Sequence, residues 1–93
     1  MNKITIQALK SLAIPSFEWD REKKDLVEVE IHPTVIERDG KVLVSAEDGK
    51  GLADFYGEFR GGYPYIDPAL ESFAHNRGLY WEWENPGAII LVE

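Results

Sequence analysis

Val27-Glu28-Val29-Glu30-Ile31-His32 alternates strictly between branched apolar and polar residues. That period of two is the mark of a strand with one face buried and one face wet. Pro33 follows at once. It has no backbone N–H to give to a ladder, so the strand must bend, bulge or lie at an edge there.

Upstream, residues 16–20 alternate too, with Phe17 and Trp19 on one face and Glu18 on the other. The mixed-charge run Asp20-Arg21-Glu22-Lys23-Lys24-Asp25 reads as the turn between these two strands. Downstream, Val35-Ile36 and Val42-Leu43-Val44 flank Asp39-Gly40. Asp-Gly is a strong hairpin signal, because a type I′ turn needs positive φ at both central residues. Residues 16–46 are therefore expected to form a three-stranded meander.

On the N-terminal side, Ile6, Leu9, Leu12 and Ala13 recur at helical spacing until Pro15 stops them. The alternation of Ile4, Ile6 and Ala8 leaves a strand start open, with helix the preferred reading. From Asp48 the period changes. Leu52, Phe55, Tyr56 and Phe59 fit the amphipathic template, with Asp54 and Glu58 four apart on the outer side. Gly49, Gly51 and Gly57 weaken that helix, and Gly61-Gly62 would end it. Asp67-Pro68 then supplies an N-cap and a first-turn proline for a helix over 68–77, with Leu70, Phe73 and Ala74 buried. Trp81 and Trp83 alternate with Tyr80, Glu82 and Glu84. Asn85-Pro86-Gly87 fits a type II turn that would pair Trp83 with Ile90 and Trp81 with Val92. The expected fold is a single α+β domain over residues 1–93. Its element order is α-β-β-β-α-α-β-β, an antiparallel sheet of about five strands with helices on one face.

Chemistry is sparse. With no cysteine there is no disulfide, thiolate ligand or thiol nucleophile. His32 and His75 stand in no metal-binding spacing, and Ser11, Ser16, Ser45 and Ser72 in no nucleophile elbow. Glu47-Asp48-Gly49-Lys50-Gly51 lacks the spacing of a phosphate loop. No catalytic residue, metal site or cofactor is expected, and the chain reads as a non-enzyme. A hydrophobic content of 44% places it among folded domains. Met1-Asn2-Lys3-Ile4-Thr5 carries no secretory signal, and no apolar run could span a membrane, so a cytoplasmic protein is expected.

Charge is the informative property. The net charge is −7. Residues 1–46 hold eight acids and seven bases, whereas residues 47–93 hold nine acids and only Lys50, Arg60 and Arg77. Such a field repels a phosphate backbone and steers basic partners inward. Glu47, Asp48, Asp54, Glu58, Glu82 and Glu84 are the expected contacts for a basic partner. A single row is too sparse to imitate DNA. Carboxylates two apart on a strand are ~6.6 Å apart, against one duplex charge per ~1.7 Å. Several rows would have to converge. Tyr63, Tyr65, Trp81 and Trp83 exceed what one sheet face must bury; exposed beside carboxylates they would be interface anchors, although Trp81 and Trp83 suit a core.

In size and charge, though in no motif, the chain resembles small acidic phage-encoded inhibitors of CRISPR–Cas or restriction systems. That resemblance implies a binding protein that blocks the nucleic-acid-binding surface of a basic protein. The alternative is an immunity protein or antitoxin, similar to barstar-like inhibitors in size and acidity, neutralising a basic toxin such as a nuclease.

Overall fold

A computed structural model describes residues 1–57 and 64–93. The chain opens with helix α1 (Lys3–Lys10), followed by the hairpin β1 (Ile14–Asp20) and β2 (Asp25–Ile31). A second hairpin follows, β3 (Val35–Arg38) and β4 (Lys41–Ser45). Two short strands, β5 (Ala53–Asp54) and β6 (Tyr65–Ile66), precede helix α2 (Pro68–His75). The last hairpin is β7 (Tyr80–Asn85) and β8 (Ala88–Val92). The class is α+β with antiparallel sheets, as the sequence pattern predicts.

The sheet differs from the expected five-stranded one. Its largest unit has four strands in the order β3-β4-β8-β7, while β1-β2 and β5-β6 each form a separate two-stranded ladder. The meander breaks at His32-Pro33-Thr34. Pro33 is buried there and has no N–H to carry the ladder onward. The break is held by side chains: Lys50 Nζ donates to His32 O at 2.7 Å and to Thr34 Oγ1 at 3.2 Å, and His32 Nδ1 lies 2.9 Å from Leu12 O.

Both helices start where their caps dictate. Asn2 accepts from the Thr5 N–H at 2.9 Å, and Asp67 from the Ala69 N–H at 2.8 Å. Gly78, at φ +69°, closes α2 while the Leu79 N–H returns to Ala74 O at 2.9 Å. The helix expected from Leu52, Phe55 and Tyr56 does not form. Gly49, Gly51 and Gly57 have φ of +79°, +69° and +71°, values no right-handed helix contains. The backbone instead runs as the short strand β5, whose Asp54 pairs with Tyr65. Phe59 and Gly61-Gly62 of that expectation lie outside the described residues.

The Asp39-Gly40 turn has positive φ at both positions, +53° and +74°, as a type I′ hairpin requires. The turn at Pro86-Gly87 is a correction. Gly87 does not take the positive φ of a type II turn. Asn85 Oδ1 accepts from the Gly87 N–H at 2.8 Å, and a bulge between Trp83 and Asn85 moves the register by one residue. Trp81 therefore faces Leu91 and Trp83 faces Ile89.

Register then defines the core. Trp81, Trp83, Leu91, Ile89, Val42 and Val44 share one sheet face, and Leu9 of α1 with Leu70, Phe73 and Ala74 of α2 pack against it. The buried Trp81 indole N–H donates to Leu70 O at 2.7 Å, tying α2 to β7. Trp81→Phe removes that donor and part of the buried ring, so urea unfolding should show a loss of about 1–2 kcal/mol. Tyr80→Phe, on the open face of the same strand, should stay within ~0.5 kcal/mol.

Candidate functional site

Of the six acids expected at an interface, the five among the described residues do not form one exposed patch. Asp54 is 6% exposed and stands on β5, because the backbone there is a strand and not the outer side of a helix. Asp48 is partly buried, and its Oδ1 accepts from the Lys50 N–H at 3.0 Å, which shapes the loop after β4. Glu58, like Tyr63, lies outside the described residues.

The remaining three gather near the β7–β8 hairpin. The Glu47 carboxylate lies over Gly87, where an added Cβ would come within 2.7 Å of its Cδ. Glu84 is close by in sequence, and its Oε1 accepts from Lys41 Nζ at 3.2 Å, so its charge is offset. Glu82 is exposed on the sheet face opposite Trp81 and Trp83, across from Ile90. Trp81 and Trp83 belong to the core, the preferred reading for both. Trp81 is buried, and Trp83 packs edge-on against Phe55 with ring centres 5.2 Å apart. Tyr65 is half-buried, its hydroxyl 3.5 Å from Asp67 Oδ2.

A different surface stands out. The β1–β2 hairpin is an arm rooted at Ile14 and Ile31, which pair with each other and enter the core. Seven consecutive pairs run outward without a bulge, from Ile14↔Ile31 to Asp20↔Asp25. Asp20 Oδ1 closes the tip, accepting from the N–H groups of Glu22 at 2.9 Å and Lys23 at 3.1 Å. The alternation that sends Ile14 and Ile31 inward sends Phe17, Trp19 and Leu26 to the opposite face. They are 66%, 61% and 61% exposed. Phe17 faces Glu28, Pro15 faces Glu30 and Trp19 faces Leu26, so one face carries an apolar cluster with two carboxylates beside it.

The three exposed side chains present roughly 350–400 Å² of apolar surface, taking 150–250 Å² for a large side chain. That is the size of the largest patch on a typical monomer, which is often functional. Exposed tryptophan beside carboxylates is also the composition of a binding hot spot, since indole gives large contact area for two torsions. The alternation in residues 16–31 already placed Phe17 and Trp19 together. The signal missing from the sequence is that this hairpin forms a ladder separate from the main sheet, which leaves the Phe17–Trp19 face exposed.

No family model, curated protein or solved structure matches this chain. Among the described residues, no helix is long and apolar enough to cross a membrane, and no group of three or more His, Asp or Glu is placed to hold a metal ion. Buried and exposed carboxylates should separate cleanly by mutation. Asp54→Ala strips polar contacts from a buried position and should lower unfolding free energy by about 2 kcal/mol, whereas Glu82→Ala should stay within ~0.5 kcal/mol in the same urea titration.

Proposed function

We propose that this chain is a non-enzymatic acidic binding protein that grips a basic, nucleic-acid-binding partner through the β1–β2 arm and so blocks it. In this reading it acts as small phage-encoded inhibitors of CRISPR–Cas or restriction systems do. One observation carries the proposal: Phe17, Trp19 and Leu26 are more than half exposed on a single face of a regular hairpin that stands away from the main sheet. Transferring that surface out of water favours association at roughly 25 cal/mol per Å² before the costs of association are counted. Glu28 and Glu30 on the same face, within a molecule of net charge −7, select a basic partner and speed its approach.

The division of labour differs from duplex mimicry. Asp54 is buried and Glu84 is paired, so the carboxylates supply steering and orientation while the aromatics supply affinity. An immunity protein or antitoxin facing a basic nuclease would use the same arm, and the identity of the partner separates the two.

The test is capture with the intact chain and with a Phe17→Ala/Trp19→Ala variant of unchanged thermal stability, followed by direct binding measurements on whatever is retained. A basic protein should bind the parent chain, lose at least thirtyfold per aromatic removed (a hot-spot residue is worth ~2 kcal/mol or more), and give up its nucleic acid as the chain binds. Equal binding by the double variant, or a stable ternary complex with nucleic acid, would contradict the proposal.

A further inference from the structure

The arm offers an edge as well as a face. Among the described residues β1 and β2 pair only with each other, so each has an outer edge of backbone N–H and C=O groups with no strand beside it. The two edges are not equivalent. β1 carries Pro15, which lacks an N–H, whereas β2 spans seven residues with no proline and holds unbroken register. Edges of this kind are ordinarily guarded by charged side chains, especially lysine, by proline or by a bulge. β2 has no proline or bulge, its charges are carboxylates, and its Leu26 N–H is held by Asp25 Oδ1 at 2.8 Å. The strand it can accept is therefore one matched to Glu28 and Glu30. On this arm the lysines, Lys23 and Lys24, lie in the turn and not along β2.

Resting on the proposed function above, we infer that the outer edge of β2 takes up an extended basic segment of the partner protein as a third strand. The side chains of β2 specify that segment. Leu26, Glu28 and Glu30 alternate with Val27, Val29 and Ile31. A strand laid beside it puts its own alternate side chains ~5 Å from Glu28 and Glu30 on one face and from Val27 and Val29 on the other. Lysine or arginine alternating with branched apolar residues satisfies both faces. The cationic stems would also lie towards Phe17, which stands across from Glu28. A second copy of this chain fits less well. Two-fold pairing centred on Glu28 sets it against its own copy, and like charges directly opposite are unfavourable. Each copy also carries a net charge of −7.

The experiment uses the full-length chain, isotope-labelled, and a capped nonapeptide alternating valine with lysine. Its control is the same peptide N-methylated at every second residue, which keeps the charge and removes the donors. The unmethylated peptide should slow hydrogen exchange of outward amides in β2 and bind at least tenfold more tightly than the control. Glu28→Gln/Glu30→Gln should weaken it by a similar factor. Equal affinity for the N-methylated peptide would overturn the inference, leaving charge attraction alone. So would protection confined to residues outside β2, or a doubled solution mass with β2 amides already protected before peptide is added. Should the edge fail while partner capture still depends on Phe17 and Trp19, the proposed function stands without it; loss of that dependence removes both.

Discussion

The pairing of Ile14 with Ile31 at the foot of the arm is the contact on which the functional surface depends. Ile14 is 2% exposed and Ile31 packs beside it against the core. A strand has a side-chain period of two, so fixing one residue at the root fixes the facing of every residue beyond it. With Ile14 and Ile31 inward, Phe17, Trp19 and Leu26 must face outward. A one-residue slip would invert the arrangement, burying glutamates at the root. The hydrophobic gain at the root, roughly 1.5–3 kcal/mol for the buried Ile14 and less for the half-buried Ile31, therefore holds an unfavourable exposure of aromatics in place.

Pro33 and Lys50 complete that constraint. Had the chain continued in register from β2 into β3, the arm would have been part of the main sheet. Proline at the junction, with Lys50 Nζ clamped between His32 O and Thr34 Oγ1, directs β3 into a different ladder. The main sheet then closes with β4, β8 and β7 over the two helices, and the Trp81 indole bonds α2 down onto β7. The body of the protein is thus complete without the outer face of the arm. Surface left uncommitted by folding is available for binding.

Local chemistry was legible wherever one residue type decides the backbone. Asp67 starts a helix, and Asp39-Gly40 turns a hairpin. Illegible were features set by competition between signals. Leu52, Phe55 and Tyr56 match a helical period, yet glycines at positive φ on both sides impose an extended path, and Asp54 consequently turns inward. A bulge between Trp83 and Asn85, which no single residue type announces, shifts the Trp81 and Trp83 register by one. The candidate site shows the same pattern. Phe17, Trp19, Glu28 and Glu30 could be assigned to faces from sequence, but whether a face is covered depends on where the chain goes after Pro33.

Trp19 stands in water on the β1–β2 arm, and its fluorescence reports that exposure. The emission lost on Trp19→Phe substitution isolates that indole from Trp81 and Trp83. The difference spectrum should be as red as that of the urea-unfolded chain and be quenched by acrylamide to nearly the same extent. A blue-shifted, quencher-protected component would mean that the arm folds back or pairs with another copy, and the proposed binding face would not exist.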